Sequence, residues 1–224
     1  MDPAALRLSL VLATLTTLAL LAIGLPVAHW LATSRWRWKF VVEAVVALPL
    51  VLPPTVLGFY LLFGLGPRSP LGRAWEAVVG ERFPFSFGGL LVASVLYSLP
   101  FAVQPFSAAL AAVDPRLVEA SHGLGVSSLG TFFRVTLPLS WNGILAGAVL
   151  TFAHTLGEFG VVLMVGGNIA GETRTLSIAI FDHVQALEYE AANRTSALLL
   201  AVSFAVLVLV YALQRRPFFR WNVR

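Results

Sequence analysis

Residues 114–147 read DPRLVEASHGLGVSSLGTFFRVTLPLSWNGILAG, and apolar segments of membrane-spanning length lie on both sides of this stretch. Asp114 is a good N-cap, because its side chain can accept hydrogen bonds from the free backbone N–H groups of a first helical turn. Pro115 suits the first helical position, where its missing N–H has no cost. Gly123 and Gly125 favour a helix end. Together these residues predict a short helix at a membrane surface.

A second short helix is predicted directly after these glycines. Ser127 or Ser128 can cap it, and its apolar side chains are expected to share one face. Pro138 is expected to end or kink this helix one turn later. The stretch therefore predicts two short, partly apolar helices joined by glycine, in a connection that cannot lie within a membrane.

The composition is that of an integral membrane protein. Of the 224 residues, 58% are hydrophobic and 12% are charged, and the mean hydropathy is +0.85. A soluble domain has about a quarter of its residues charged. Cysteine is absent from the sequence, which excludes a disulfide framework and thiolate chemistry.

Two kinds of catalytic site are not expected in this chain. Lys39 is the only lysine and does not lie in a Gly-Lys-Ser/Thr phosphate-binding loop, so any ATP hydrolysis must come from a partner. The four histidines have no metal-ligand spacing and suggest no Ser-His-Asp arrangement. We therefore assign no catalytic residue and no metal ligand.

Five membrane-spanning helices are predicted within one membrane domain over residues 1–224. They cover about residues 8–31, 40–66, 89–113, 140–165 and 195–213. Pro49, Pro53 and Pro54 predict that the second span is kinked or partly unwound. Gly143 and Gly147 form a GxxxG pair in the fourth span, which permits close packing of helices. A signal peptide is the alternative for the first run, which is too long and lacks a basic n-region.

The remaining connections carry most of the charge. Residues 67–88 are expected to form a polar loop, and 175–187 an amphipathic or partly inserted helix that is too short to span. Basic residues without acidic neighbours occur at 33–39 and in the C-terminal tail, which places both in the cytoplasm and the N-terminus in the periplasm. A six-span alternative would make 172–190 transmembrane and put the tail outside.

A family resemblance rests on the connection between the third and fourth spans. Its residues are Glu119-Ala120-Ser121, Gly125, Leu137-Pro138 and Gly143, and they resemble the EAA loop of ABC importer permeases. Ser121 stands where a second alanine is usual. In that family the loop is a coupling helix, which sits in a groove of a separate ATP-binding subunit. The resemblance implies a coupling role for these residues, and Arg134 is added as a contact for lipid phosphate or Glu119.

Further stretches narrow the resemblance to the molybdate/sulfate/tungstate branch. They are LPLVLPPTVLG at 48–58, LGEFG at 156–160 and GNIAGETRTL at 167–176, where Ala170 replaces a common proline. The resemblance covers nearly the whole chain. It implies an all-α membrane protein with the type I ABC importer permease (MetI-like) fold and a cytoplasmic coupling-helix loop at 114–139. Some relatives have a sixth, N-terminal span, for which this chain starts too close to residue 8.

The same resemblance implies the partners and the location. They are a permease homodimer, two cytoplasmic ATP-binding subunits that hold ATP and Mg, and a periplasmic or lipid-anchored oxyanion-binding protein. The expected location is the inner (plasma) membrane, in contact with lipid and not with nucleic acid. No cofactor is expected in this chain. Molybdate is the expected substrate, with sulfate and tungstate as alternatives, because selection belongs mainly to the binding protein.

Polar residues within the spans are candidates for the translocation pathway. An anion can pass along hydroxyl and backbone N–H groups, so Thr55, Ser94 and Ser98 are candidates. Glu158 is the one acid deep in a predicted span, and it is either a gate or a structural hydrogen-bond acceptor at a helix break. His154 lies one turn earlier and could pair with Glu158.

Two other classes of protein remain as alternatives. A channel without an ATPase partner would have a pore-lining polar stripe and no coupling loop. A helix-turn-helix DNA reader would carry several polar and basic side chains on its second helix. In this chain that helix has one positive charge, and membrane spans flank the motif.

Overall fold

The apolar runs of the sequence become long helices, and the computed structural model describes residues 2–214. In chain order the helices are α1 (Pro3–Thr33), α2 (Lys39–Val51), α3 (Pro54–Leu65), α4 (Pro70–Val79), α5 (Phe87–Ala111), α6 (Pro115–Gly123), α7 (Ser128–Thr131), α8 (Leu137–Gly157), α9 (Gly160–Gly166), α10 (Leu176–Gln185) and α11 (Tyr189–Gln214). A π-helical segment, Phe132–Thr136, joins α7 to α8.

Four helical stretches within residues 2–214 are long and apolar enough to cross a membrane. They are α1, α5, the continuous helix Ser128–Gly157, and α11 from Tyr189 to Val208. The bent pair α2–α3 makes a fifth if it is counted as one span, and its axis turns by 112° at the break. Pro53 lies at this break, as the sequence predicted for a kinked second span.

Pro138 was expected to end or kink the second short helix, and the helix does not end there. The chain stays helical from Ser128 to Gly157, and the wider π turn lies immediately before α8. In an α-helix the ring of Pro138 would clash with the carbonyl of residue 134, and the π turn relieves that contact. The second short helix and the fourth span are therefore one continuous element.

Helices α1, α5 and α8 pack together as the centre of the bundle. Their buried contacts include Leu20, Ala102, Phe106 and Ile144. In lipid, association depends on close van der Waals contact, which small residues permit. A Cβ on Gly143 would lie 2.4 Å from the Ala109 Cβ, so that residue has no room for a side chain.

Gly147 is the second glycine of the GxxxG pair, and like Gly143 it faces α5. A Cβ there would lie 2.7 Å from the Phe106 ring. The predicted close packing through Gly143 and Gly147 is confirmed, with α5 as the partner of α8.

The expectation that 67–88 is a loop was wrong for its first half, which contains α4. Ser69 caps this helix by accepting a hydrogen bond from the Gly72 N–H at 2.8 Å, and Pro70 occupies its first turn. Trp75 then packs edge-on against the buried Phe83, with ring centroids 5.5 Å apart. The polar composition of this segment predicted a loop, because α4 buries only one of its faces.

Helix α10 is short, as the sequence predicted for 175–187, and it is not among the helices long enough to span. Its first turn is buried, and the Ser9 hydroxyl of α1 accepts a hydrogen bond from the Leu176 N–H at 2.8 Å. Helix α11 begins at Tyr189, before the predicted span at 195–213. The basic tail from Arg215 onward lies outside the described residues.

The bundle has two distinct ends. At one end a cavity of about 650 Å³ is lined by the last residues of α1 and α5 together with α6 and α7. At the other end a cavity of about 900 Å³ is lined by the start of α1, the connection before α5, and Gly171–Glu172. The EAA-like loop and the stretch GNIAGETRTL therefore lie at opposite ends.

Candidate functional site

Helix α6 begins and ends where the sequence indicated. The Asp114 carboxylate accepts a hydrogen bond from the Arg116 N–H at 2.9 Å, and Pro115 occupies the first turn. The helix ends at Gly123, and Gly125 has a φ of +77°, the left-handed conformation that glycine adopts without strain. The predicted cap, first turn and glycine end are confirmed.

A short bonded connection holds α6 against α7. Ser127 caps α7 by accepting a hydrogen bond from the Gly130 N–H at 3.2 Å. The hydroxyls of Ser121 and Thr131 are 2.9 Å apart and both side chains are buried, so this hydrogen bond ties the two helices together. Ser121 thus has a structural partner that an alanine at this position would lack.

The residues expected to contact an ATP-binding subunit divide into exposed and enclosed groups. Glu119, Ala120, Gly125 and Arg134 are exposed, and Glu119 also borders the 650 Å³ cavity. Leu137 and Pro138 are half-buried at the start of α8, and Ser121 is buried. An ion pair between Arg134 and Glu119 is not among those formed within residues 2–214.

Large exposed apolar side chains occur in the same connection as Glu119. We define the α6–α7 surface by Leu117, Glu119, Leu124, Leu129 and Phe133, all of which are exposed. Leu124, at the end of α6, is 84% exposed. Several large exposed apolar residues on one polar connection are typical of a surface that another molecule covers.

A second polar group lies inside the bundle, between α5 and α8. The Ser98 Oγ is 3.0 Å from the His154 Nδ1 and 2.9 Å from the Thr155 Oγ1. The His154 ring stacks on Phe101 with centroids 3.8 Å apart, and Tyr97 lies 5.1 Å away. His154 therefore bonds to Ser98, and the suggested pairing with Glu158 is not formed.

Glu158 lies at a break between α8 and α9. Its side chain is 7% exposed, and its Oε1 accepts a hydrogen bond from the Val161 N–H at 2.8 Å. A Cβ on Gly160 would lie 2.6 Å from the Pro54 Cβ, so the start of α3 packs against this break. The geometry is that of a structural acceptor at a helix break.

In the described part of the chain, none of the four predicted pathway residues forms a hydrogen bond to another of them. Ser94 and Ser98 are both buried one turn apart on α5, and the Ser94 Oγ has no hydrogen-bond partner within residues 2–214. Thr55 is exposed on the first turn of α3, and Glu158 is turned toward α9. Sequence reasoning missed the bond between Ser98 and His154, because those residues are 56 positions apart and nothing local signals their contact.

The stretch GNIAGETRTL folds into what we call the polar cap, residues 167–175 with Asp182. The buried Thr173 hydroxyl donates to the Gly166 carbonyl at 2.6 Å and accepts from the Ile169 N–H at 3.1 Å. Asn168 bridges Arg174 and Asp182, with both hydrogen bonds at 2.6 Å. Most polar groups of this cap are thus satisfied from within.

The described residues do not bring together a metal site. Within residues 2–214, no group of three or more histidine, aspartate or glutamate side chains is placed to hold an ion. The possible chemistry of the chain lies in its exposed connection and its intramembrane polar groups.

A bundle of four or five helices that are long and apolar enough to cross a membrane, with an exposed helix pair between two of them, is the architecture of a multi-pass membrane protein. The family model described as "Binding-protein-dependent transport system inner membrane component" matches residues 8–219, and the chain belongs to this family. It is therefore a multi-pass inner-membrane component of a transport system that has further subunits.

Curated relatives match most of this chain. The sequence is 51% identical to the molybdenum transport system permease protein ModB of Azotobacter vinelandii, over 96% of this chain and 95% of that protein. It is 39% identical to the protein of the same name from Escherichia coli (strain K12), over 81% of this chain and 79% of that one.

Solved structures share the fold at low sequence identity. A chain of a bacterial ABC transporter involved in the import of the acidic polysaccharide alginate matches with a TM-score of 0.79 at 18% identity, covering 96% of this chain and 79% of that one. A chain of the methionine ABC transporter MetNI in an inward-facing conformation matches with a TM-score of 0.75 at 18% identity, covering 96% and 95%. The predicted all-α, type I ABC importer permease fold is confirmed.

Proposed function

We propose that this chain is the transmembrane permease subunit of an ATP-driven importer that moves molybdate across the inner membrane. The observation that carries the proposal is the exposed α6–α7 surface at one end of a membrane bundle. The names of the curated relatives supply the substrate. The chain itself is not an enzyme, because ATP and Mg are bound by a separate subunit.

The proposed complex has five parts. Two copies of this chain form a homodimer, and each copy docks one cytoplasmic ATP-binding subunit on its α6–α7 surface. A periplasmic or lipid-anchored oxyanion-binding protein delivers the substrate at the opposite end, where the polar cap lies. This arrangement puts the N-terminus in the periplasm and the C-terminus in the cytoplasm.

The exposed character of the α6–α7 surface supports a docking role. Leu124, Leu129 and Phe133 would remain in water at the membrane surface unless a partner covered them. Glu119 and Arg134 are exposed beside them and provide charges that orient the partner. Ala120 adds a small exposed residue through which the two backbones can approach closely.

The continuous helix from Ser128 to Gly157 supports a mechanism for coupling. Closure of the ATP-binding subunits moves α6, and the Ser121–Thr131 hydrogen bond carries α7 with it. Because Leu137 and Pro138 lie inside the same helix, the movement reaches the break at Glu158. The switch between inward-facing and outward-facing states then takes place in the bent α2–α3 pair and at this break.

Candidate pathway groups are available along the bundle. Thr55 and Ser94 offer hydroxyl donors to an oxyanion, the Ser98 hydroxyl bonds to His154 and Thr155, and Glu158 stabilises the break that must move. A permease that receives substrate from a binding protein needs no tight site of its own, so scattered donors are sufficient. The anion passes from one donor to the next while the dimer is open to one side.

The proposal is tested by purifying the complex from native membranes in mild detergent. We expect a stoichiometric ATP-binding subunit, ATP hydrolysis, and molybdate uptake after reconstitution with the binding protein. Competition for uptake between molybdate, tungstate and sulfate then identifies the substrate. A chain that purifies without an ATPase and conducts the anion passively would instead be a channel.

Glu119→Lys tests the docking surface directly. We expect the variant to insert normally, to retain the ATP-binding subunit about tenfold less tightly, and to lose most uptake. Glu81→Lys is the matched control for retention of the ATP-binding subunit, because Glu81 is exposed at the opposite end of the bundle. Normal uptake by Glu119→Lys would show that the coupling assignment is wrong.

A further inference from the structure

One face of α5 carries Tyr97, Phe101 and Gln104 within the membrane-crossing length of the helix, and we call it the polar face. Gln104 is exposed there, and Phe101 and Tyr97 lie half-buried one and two turns before it. A cavity of about 550 Å³ continues from Gln104 past Ser107 to Glu43 of α2. Glu43 pairs with the lysine at the start of α2, so Gln104 is the group that decides what this side of α5 faces. An exposed amide cannot face hydrocarbon without a cost, so this side of α5 faces water or a second copy of the chain.

His154 of α8 lies at one end of this face and is held in place on two sides. Its ring stacks on Phe101 with an interplanar angle of 22°, and its Nδ1 is 3.0 Å from the Ser98 Oγ. Ser98 is 1% exposed, so its hydroxyl must donate its hydrogen bond to another group of the protein. The Thr155 Oγ1 lies 2.9 Å from the same hydroxyl, so Ser98 donates to Nδ1 when Thr155 donates to Ser98. In that arrangement the proton of the neutral imidazole is on Nε2, and a charged imidazole also donates from Nε2.

The other ring nitrogen of His154 has no protein partner. Nε2 forms no hydrogen bond to any of residues 2–214, and it is not among the buried polar atoms that lack one. The nearby carboxylate of Glu158 does not compete for it, because that side chain is buried and its Oε1 accepts from the Val161 N–H. The structure thus presents a fixed imidazole N–H at an accessible position on the polar face.

We propose that His154 is a transit site for a tetrahedral oxyanion, which accepts a hydrogen bond from Nε2 as it moves along the polar face of α5. Phe101 fixes the plane of the ring, and Ser98 is the positioning residue that fixes its tautomer. This inference rests on the proposed import function and names a side chain that contacts the substrate of that function. A single donor binds an oxyanion weakly, which suits a group that must also release it.

The test compares His154→Gln with His154→Met in the complete reconstituted transporter. The two replacement side chains have similar length, but only glutamine carries an N–H donor. Radiolabelled molybdate uptake and ATP hydrolysis are measured together, with the loaded binding protein present. Met at this position should lower uptake per ATP hydrolysed by about tenfold, and Gln by less than about threefold.

His183→Gln is the matched control, because its Nδ1 also bonds to a side chain, at 2.9 Å from the Glu188 Oε2, but it lies on α10 away from this face. It should leave the uptake-to-hydrolysis ratio unchanged. Ser98→Ala should lower that ratio, and Ser98→Thr should restore it, since threonine retains the hydroxyl.

Equal uptake by the Gln and Met variants would overturn the proposal. A loss of ATP hydrolysis in proportion to uptake would also overturn it, because a proportional loss would mean that His154 has a purely structural role. A wild-type complex that shows no ATP-dependent uptake would refute the import function itself. That failure is separate from the failure of the His154 assignment, which requires a wild type that transports.

Discussion

The α6–α7 surface and the polar cap both lie in short connections at the ends of the bundle. The polar cap forms hydrogen bonds among its own side chains, whereas the α6–α7 surface leaves apolar side chains exposed. The cap buries Thr173 completely and bonds Asn168, Arg174 and Asp182 to one another. The α6–α7 surface leaves Leu124 and Phe133 exposed. A connection whose polar groups bond to one another stabilises the fold. A connection that exposes large apolar side chains is a surface that another subunit can cover.

Among the substitutions that test this difference, Thr173→Val should cause the largest change in free energy. Valine has nearly the same shape, but it leaves the Gly166 carbonyl and the Ile169 N–H without the partner they now have. We expect a loss of about 2–4 kcal/mol in stability, since each buried unpaired group costs about 1–3 kcal/mol. The measurement is the thermal unfolding midpoint in detergent. An unchanged midpoint would mean that the cap does not depend on its internal bonds.

Leu124→Asp should weaken binding of the ATP-binding subunit without weakening the fold. The side chain is 84% exposed, so we expect a change in stability below about 0.5 kcal/mol. Binding should weaken by about 2 kcal/mol, or roughly 30-fold in Kd, if this residue is central to the interface. The measurement is a titration of the purified permease with the ATP-binding subunit.

Val78→Asp is the control for that experiment, because Val78 is 86% exposed on α4 at the opposite end. It should leave the affinity unchanged. Equal losses for the two variants would indicate that the α6–α7 surface has no special role in docking.

Ser121→Ala should have an intermediate effect, because it removes one hydrogen bond between α6 and α7. We expect about 1 kcal/mol of lost interaction and more ATP hydrolysed per molybdate imported. A double-mutant cycle with Thr131→Val measures the pair directly. If the two single changes are additive, the two hydroxyls do not couple the helices.

Arg174→Gln should have the smallest effect. Arg174 is half-exposed and lies 3.6 Å from Asp182, and an ion pair of this kind contributes about 0–1 kcal/mol. We expect a loss of about 0.5 kcal/mol, which high salt should reduce further. A loss as large as that of Thr173→Val would mean that the charged network, and not the threonine, holds the cap.

The sequence predicted the local features of this protein well, because helix caps and apolar runs are local. The predicted helix caps are present at Asp114 and Ser127, and the predicted glycine turn is present at Gly125. The GxxxG pair was also visible as a pattern, since its spacing alone puts both glycines on one face. The expected loop at 67–88 was wrong because its polar composition alone does not reveal the one face that α4 buries. Pro138, which was expected to end or kink its helix, does not end it.

Composition and pattern by themselves determined the membrane class, the all-helical fold, the family resemblance and the exposed helix pair. Only the tertiary structure decided which polar groups meet. The bonds from Ser98 to His154 and from Ser9 to Leu176 join residues 56 and 167 positions apart. Such contacts depend on how α1, α5, α8 and α10 pack, and the free energy of that packing is shared among many residues, so no local pattern encodes it.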